Sequence, residues 1–167
     1  MELGFLGNET QGIDGKGRVS IPADFRPVII AGDQRDLKGE RPTFVLVYGT
    51  ASQNHIKCYT LRDFAAIKAR IALMPDGSPA KRAAVKLYQG FAMFMPLGED
   101  GRIVLPAKLR AKLAIEDKVF FIADNDHFKM WKPETFDASE ADSADAYLAQ
   151  MGPDFDITSL MPPLPTP

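Results

Sequence analysis

A short polar segment near the start of the chain carries the side chains best suited to chemistry. Asp14 and Arg18 lie four residues apart in it, and Lys16 lies between them. An arginine can form two parallel hydrogen bonds with guanine or with a phosphate, whereas a lysine contacts phosphate as a point charge. The carboxylate of Asp14 can accept N–H groups of a turn and hold Arg18 in one pose. The segment therefore admits two interpretations, a contact with nucleic acid or a structural ion pair within a turn.

The glycines Gly15 and Gly17 raise a third possibility, a phosphate-binding loop of a nucleotide-hydrolysing enzyme. Such a loop requires a lysine followed by serine or threonine, but Lys16 is followed by glycine. No pattern of strand, loop and long helix surrounds the segment either. The two glycines are instead typical of a hairpin turn, because they supply the positive φ that such turns need.

The segment belongs to a sequence that occurs twice. Residues 17–26 match residues 101–110, with Gly, Arg, Pro, Ala and Arg identical and the apolar positions exchanged conservatively. A second match, of residues 55–59 with 127–131, follows each copy and ends in an aromatic residue. The first copy has twelve extra residues between its matches, which we place in a surface loop within residues 31–42. A duplicated module of about fifty residues is too small to bury a good core alone, so we expect the copies to pack together.

The second copy differs from the first in its turn. Gly101 and Arg102 repeat the glycine and the arginine, but Gly98 stands where the first copy has its aspartate. Glu99 and Asp100 lie nearby and are candidates to replace that carboxylate. We therefore predict that the two turns are not equivalent and that the first is the more important.

Two further arginines, Arg26 and Arg110, each follow the arginine of their turn by eight residues. Each either reaches a backbone phosphate of a nucleic acid or pairs with acidic groups of the fold. The sequence favours neither interpretation over the other.

The other reactive side chains predict structure rather than catalysis. Cys58, the one cysteine, lies in an alternating run typical of a strand, where a small buried hydrophobic residue is expected. His55 and His127 recur at the same place in both copies and are predicted to close their hairpins. We therefore expect no catalytic residue, no metal site and no cofactor, and we predict that the protein is not an enzyme.

The formal net charge of −2 conceals an uneven distribution. Residues 137–167 contain six acidic residues and no lysine or arginine, which leaves residues 1–136 with four more basic than acidic residues. A mildly basic folded part permits DNA binding. No apolar run is long enough to span a bilayer, so we expect no membrane contact.

Each copy is predicted to contain a β-run, a polar turn, a strand, a short helix and a β-hairpin. Pro22 and Pro106 suit the first position of the short helices, and Pro27 is expected to kink or shorten the first of them. Thr60 and Ser78 are predicted to cap two helices that connect the copies. The predicted hairpin strands are 43–48 with 56–59 and 119–123 with 127–131.

The predicted domain organisation follows from the repeat. It consists of a first module over residues 5–64, a helical connector over 65–90, a second module over 91–136 and an acidic, proline-rich tail over 137–167. Four prolines fall within the last seven residues, and we expect the tail to be disordered from residue 150 onwards.

The motif Asp14-Gly15-Lys16-Gly17-Arg18, followed by Ile21-Pro22 and Phe25-Arg26, resembles the MraZ family of bacterial regulators. The resemblance covers roughly residues 3–136, including both hairpins. It implies an α+β, β-rich fold in which two tandem SpoVT-AbrB-like modules form a swapped-hairpin, pseudo-two-fold unit with short connecting helices. It also implies ring-like homo-oligomers that control the division and cell-wall gene cluster, including their own promoter.

With this resemblance, the DNA-binding interpretation of the turn is favoured over the purely structural one. The resemblance implies a cytoplasmic, nucleoid-associated transcriptional regulator whose partner is double-stranded DNA with repeated promoter boxes. The predicted DNA-binding residues are Lys16, Arg18, Arg102, Arg26 and Arg110, and the residues predicted to orient the loops are Asp14, Gly15, Gly17 and Gly101.

Two alternatives remain open at this point. An antitoxin-like regulator can use the same fold, and the acidic tail is compatible with a toxin-binding segment. An assembly protein with no DNA role is the other alternative, and a gel shift with the protein's own upstream region distinguishes it.

Overall fold

The computed structural model of the protein describes residues 3–167, apart from the side chains of residues 141 and 142. Along this range, pairs of strands are separated by helices. The strands are β1 (Asn8–Gly12), β2 (Arg18–Ser20), β3 (Thr43–Val47), β4 (His55–Thr60), β5 (Ala92–Pro96), β6 (Arg102–Val104), β7 (Lys118–Asp124) and β8 (His127–Trp131). The α-helices are α1 (Arg26–Gly32), α2 (Leu61–Ala72), α3 (Pro79–Val85), α4 (Ala107–Leu113), α5 (Pro133–Asp142) and α6 (Ala144–Met151), and Lys86–Gly90 and Ile157–Leu160 form a π-helical and a 3-10 turn.

The sheet topology interleaves the two copies of the repeat. Six strands form one antiparallel sheet in the order β1-β7-β8-β4-β3-β5, and β2 and β6 form a separate antiparallel pair. The order is pseudo-symmetric, because exchanging each strand for its counterpart in the other copy reproduces it. β1 of the first copy pairs with β7 of the second, and β5 of the second pairs with β3 of the first. This arrangement confirms the predicted β-rich, swapped-hairpin α+β fold.

A cluster of aromatic rings drawn from both copies fills the core. The ring of Phe128 lies 5.0 Å from Phe5, 4.9 Å from Phe25 and 5.9 Å from Phe44, measured between centroids. All four side chains are buried. Because the rings come from both copies, neither copy completes this cluster alone. Burying a phenylalanine stabilises a fold by about 1.5–3 kcal/mol relative to leaving it exposed.

The connecting helix α2 covers the other face of β3 and β4. Val45 and Tyr59 form an apolar patch there, and Phe64 and Ile67 of α2 pack against it. Thr60 ends β4 and caps the helix, because its hydroxyl accepts the N–H of Asp63 at 3.2 Å. The predicted cap at Thr60 is therefore confirmed.

The first short helix begins later than the sequence predicts. Pro22 starts a turn in which Phe25 donates its N–H to the carbonyl of Pro22, and α1 begins only at Arg26. Pro27 has no N–H and is therefore favoured in the first turn of a helix rather than in its interior, so it marks the start of α1 instead of kinking it. Pro106 likewise precedes α4 as its N-cap. The predicted placement of Pro22 and Pro106 at the first helical position is wrong.

Each histidine of the repeat stacks on an aromatic ring of the other copy. His55 lies 4.7 Å from Trp131, and His127 lies 4.7 Å from Tyr59, as β4 and β8 pair at the centre of the sheet. Burial, followed by the positive charge of Lys129, lowers the pKa of His55 to about 4 from its usual 6.5. His55 is therefore neutral in the folded protein at neutral pH.

The lowered pKa of His55 predicts a loss of stability in mild acid. Between pH 6.5 and about 4 the unfolded chain binds a proton at His55 that the folded chain does not, so the free energy of unfolding falls as the pH falls through this window. The low pKa values of Asp14 and Asp33, about 2 each, act only below about pH 4. We expect urea unfolding to show a weaker pH dependence in His55→Gln than in the wild type across this window. Equal dependence in the two proteins would contradict the assignment to His55.

The chain from Glu134 to Pro167 forms a compact unit of its own. The sequence predicts disorder from residue 150, whereas the structure describes α6 to Met151 and a 3-10 turn at Ile157–Leu160. The ring of Tyr147 lies 6.3 Å from that of Phe155, and the carboxylate of Asp156 accepts the N–H of Thr158. Such local contacts give short segments a preferred shape that amino-acid composition does not reveal.

We expect the last segment to be dispensable for the stability of the preceding unit. No side chain within residues 144–167 is buried. Removing residues 144–167 is therefore expected to change the Tm by less than about 2 °C in a thermal unfolding experiment followed by circular dichroism. Phe128→Ala in the full chain serves as the matched control, with an expected loss of about 3–5 kcal/mol. A drop in Tm on truncation comparable to that of the control would show that the segment supports the core.

Candidate nucleic-acid interface

The turn at residues 14–17, the first loop, is organised by one carboxylate. Oδ1 of Asp14 accepts the backbone N–H of Lys16 at 3.0 Å and that of Arg18 at 2.9 Å, and Oδ2 accepts Nε–H of Arg18 at 2.6 Å. The backbone N–H of Gly17 also bonds to the carbonyl of Asp14 at 3.0 Å. The backbone N–H of Arg18 is the largest influence, followed by its side chain, in lowering the pKa of Asp14 to about 2. The carboxylate is therefore ionised at neutral pH and fixes the orientation of Arg18.

The guanidinium of Arg18 is held on one side and open on the other. Its Nε is engaged by Asp14, while its side chain remains 49% exposed. Within residues 3–167 its two terminal nitrogens make no hydrogen bond, and Lys16 at the tip of the loop makes no ion pair. The first loop thus presents a preoriented fork of N–H donors beside an exposed cation, which suits guanine or phosphate.

The turn at residues 98–101, the second loop, replaces the missing aspartate from a different position. Oδ1 of Asp100 accepts the backbone N–H of Arg102 at 3.1 Å, and its Oδ2 lies 3.4 Å from Nε of Arg102. A Cβ added at Gly98 would lie 2.9 Å from Oδ1 of Asp100. An aspartate at position 98 would therefore crowd the carboxylate of Asp100, and the glycine makes room for it.

The loops differ in charge as well as in geometry. The first loop with its following arginine carries two cations, Lys16 and Arg18, and one acid, Asp14. The second loop with its following arginine carries two acids, Glu99 and Asp100, and one cation, Arg102. A polyanion is attracted by the first arrangement more strongly than by the second.

Strands β2 and β6 join the two loops into an exposed two-stranded ribbon. Arg18 faces Val104 and Ser20 faces Arg102 across the pair. These four residues share one face of the ribbon, because side chains alternate along a strand and Val19 and Ile103 are buried on the other face. Val104 is 57% exposed although it is apolar. The outer face of the ribbon thus carries two arginines on a diagonal with small or apolar residues between them.

Arg41 is a third cation beside this ribbon. It lines an open groove of about 360 Å³ together with Arg18 and Arg102, and the acidic residues Glu99 and Asp100 line the same groove. Arg41 comes from the segment between α1 and β3, where the first copy carries its twelve extra residues. The sequence predicted a surface loop there but did not single out Arg41. The fold brings Arg41 close to Arg18 and Arg102, and no local sequence pattern indicates this.

Each loop also contacts the segment that follows the loop of the other copy. Leu105 donates its N–H to the carbonyl of Gly17 at 2.8 Å, and Ile21 donates to the carbonyl of Gly101 at 2.9 Å. Gly17 has a φ of +86° and Gly101 a φ of +79°. A Cβ at Gly17 would lie only 2.4 Å from the backbone oxygen of Leu105, so glycine is required there for both conformation and space.

The two helix arginines bond to backbone carbonyls, one just after β2 and one in the first loop. Arg26 donates from Nε to the carbonyl of Ile21 at 2.9 Å, and Arg110 donates from a terminal nitrogen to the carbonyl of Gly15 at 3.2 Å. The structure therefore brings Lys16, Arg18 and Arg102 to the exposed ribbon and its loops, and it places Arg26 and Arg110 half-buried against them.

The described residues offer little to support other chemistry. Within residues 3–167 no three His, Cys, Asp or Glu side chains come together as metal ligands would. Burial raises the pKa of the Cys58 thiol, which opposes formation of a reactive thiolate. Among the helices of the described chain, none has the length and apolar character needed to cross a membrane.

The interleaved sheet and the paired arginine loops define a protein of the swapped-hairpin, SpoVT-AbrB-like class. A family model described as "MraZ protein, putative antitoxin-like" matches residues 92–151. The chain is 41% identical over 152 residues to a protein of Ruegeria pomeroyi, with 91% of each chain covered, and 39% identical over 152 residues to one of another Ruegeria strain, again with 91% of each covered. It is also 39% identical over 168 aligned positions to a protein of Cereibacter sphaeroides, covering 96% of this chain and 97% of the relative. All three relatives are named transcriptional regulator MraZ, and the chain belongs to the MraZ family.

Proposed function

We propose that the protein is a transcriptional regulator that binds double-stranded DNA in a sequence-specific manner through the β2–β6 ribbon and its two loops. The observation that carries the proposal is the exposed pair Arg18 and Arg102, each with a carboxylate beside its Nε, on one face of an antiparallel ribbon. The major groove of B-DNA admits a two-stranded β-ribbon, and arginine forked onto guanine is the commonest specific contact there. The names of the relatives support the regulatory role, which is not that of an enzyme.

The residues of the interface divide by role. Arg18 reads a base, since its orientation is fixed, whereas Lys16 contacts phosphate and contributes affinity without sequence preference. The exposed apolar side chain of Val104 suits contact with a thymine methyl group. Arg102 makes the weaker contact of the two arginines, because the second loop is acidic.

The remaining parts of the proposal rest on the family resemblance. The protein forms a ring-like homo-oligomer, so that several loops engage repeated promoter boxes at once and raise the affinity through a high effective concentration. The promoter boxes belong to the division and cell-wall gene cluster, including the protein's own promoter. The regulator acts in the cytoplasm and associates with the nucleoid.

The proposal is tested by fluorescence anisotropy with labelled DNA from the region upstream of the protein's own coding sequence. A shuffled duplex of the same length and composition is the control. We expect tighter binding to the upstream DNA at every salt concentration and a linear fall of log K with log salt. Equal affinity for the two duplexes would refute sequence-specific recognition, and no binding at low salt would refute the DNA role altogether.

An antitoxin-like role is a second candidate because the matching family model carries that description. The acidic unit from Glu134 onwards then binds a basic partner protein. Purification of the full chain from its native host, compared with a variant lacking residues 144–167, tests this role. A small basic protein that accompanies only the full chain would support it.

A further inference from the structure

We propose that Arg26 and Arg110 are positioning residues that act crosswise, so that the helix arginine of each copy sets the shape of the DNA-binding loop of the other copy. The part of this inference that concerns DNA rests on the proposed function. The part that concerns loop shape rests on contacts within the protein alone.

Arg110 of the second copy packs on the first loop. A Cβ added at Gly17 would lie 3.2 Å from Nε and 3.3 Å from the guanidinium carbon of Arg110, so the guanidinium occupies the space that the glycine leaves open. The same guanidinium donates a hydrogen bond to the carbonyl of Gly15 at 3.2 Å. Arg110 therefore contacts the loop at two of its four residues, Gly15 and Gly17.

Arg26 of the first copy packs on the second loop in the corresponding way. A Cβ added at Gly101 would lie 2.3 Å from the guanidinium carbon of Arg26 and 2.4 Å from its Nε. That Nε donates to the carbonyl of Ile21, whose own N–H bonds to the carbonyl of Gly101. Arg26, Ile21 and Gly101 thus form one connected set that joins the first copy to the second loop.

Neither helix arginine is neutralised by an acid. Among residues 3–167 the structure records no ion pair for Arg26 or Arg110, and Nε of Arg110 is buried without a hydrogen-bond partner. An unpaired buried N–H donor is costly, so the other contacts of Arg110 must offset that cost. A planar guanidinium can cover a glycine and donate from its edge at the same time, and a lysine ammonium cannot do both.

The crossed arrangement makes an unusual prediction, because a change in one copy acts on the loop of the other. Hydrogen exchange followed by mass spectrometry on the full chain without DNA reports on it directly. In Arg110→Lys and Arg110→Met we expect exchange in residues 14–18 to rise several-fold, while residues 98–102 exchange as in the wild type. Arg26→Met is the matched control with the opposite expected pattern. Faster exchange in the loop of the same copy, or in both loops equally, would overturn the proposal.

A double-mutant cycle then separates positioning from direct phosphate contact. In the wild-type background, we expect Arg110→Met to weaken binding to the upstream DNA by about 5- to 150-fold, the effect of losing one loop contact. In an Arg18→Lys background, Arg110→Met is expected to reduce the DNA affinity little further, because the contact that Arg110 supports is already weakened. An undiminished loss in that background, with a salt slope lower by about 0.9, would assign Arg110 to a phosphate and refute the positioning role. If the protein does not bind DNA, hydrogen exchange still tests the loop contacts.

Discussion

Arg18→Ala is expected to abolish specific DNA binding while leaving the fold intact. Each lost contact between an arginine and a guanine costs about 1–3 kcal/mol, and in an oligomer the loss recurs in every subunit that touches the DNA. The side chain is 49% exposed, and an exposed ion pair such as that with Asp14 contributes little to stability because solvent screens it. The measurement is fluorescence anisotropy with upstream and shuffled DNA over a range of salt concentrations, with circular dichroism to verify folding.

Two neighbouring variants serve as controls for Arg18→Ala. Lys16→Ala is expected to weaken binding to both duplexes alike and to reduce the salt slope by about one unit. Arg102→Ala is expected to be milder than Arg18→Ala, because Arg102 lies 3.4 Å from its carboxylate rather than 2.6 Å and has two acids beside it. If Arg18→Ala binds the upstream DNA like the wild type, the first loop is structural only. If Arg102→Ala is the more damaging variant, the ranking of the two loops is wrong.

Gly17→Ala is expected to cause the largest loss of stability of any single change in the loops. Alanine at a φ of +86° is strained by about 1–3 kcal/mol, and its Cβ would meet the backbone oxygen of Leu105 at 2.4 Å. Backbone cannot move aside as the end of a side chain can, so we expect the free energy of unfolding to fall by about 2–4 kcal/mol. Urea unfolding measures this loss, and the same variant should lose specific DNA binding.

Gly15→Ala is the matched control within the same loop. A Cβ at Gly15 would have no neighbour within 4 Å, and its φ lies outside the left-handed region. We expect this variant to unfold within about 0.5 kcal/mol of the wild type. Equal effects at both positions would mean that the close approach of Gly17 to Leu105 does not constrain the protein.

The hairpins could be predicted from the sequence because their information is local. Alternating apolar residues mark β4 and β8, runs of consecutive apolar residues mark β3 and β7, and Thr60 and Ser78 mark helix starts in the same short-range way. The interleaving of the copies came from the family resemblance and not from periodicity, since nothing in β1 itself specifies β7 as its neighbour. The start of α1 was misplaced because Pro22 and Pro27 both suit a helix start and only the packed structure distinguishes them.

The details of the candidate site were harder to predict because they depend on distant partners. Arg110 bonds to a carbonyl ninety-five residues earlier, and no spacing rule connects the two. Asp100 was only one of two candidates for the carboxylate of the second loop, and its role depends on the space at Gly98. Arg41 was missed altogether for the same reason.

If the ribbon binds DNA as proposed, the unequal loops give the bound molecule a direction along the duplex. A symmetric dimer of identical chains would carry two identical loops and could bind a DNA site equally well in either orientation. Here the two halves are one polypeptide, so Asp14 could remain in one loop while Gly98 and Asp100 occupy the other. Because the two modules belong to one polypeptide, their loops need not have the same sequence. Under the proposed function, one strongly binding and one weakly binding loop would give each subunit a polarity along the duplex, and a row of such subunits would distinguish the upstream from the downstream direction.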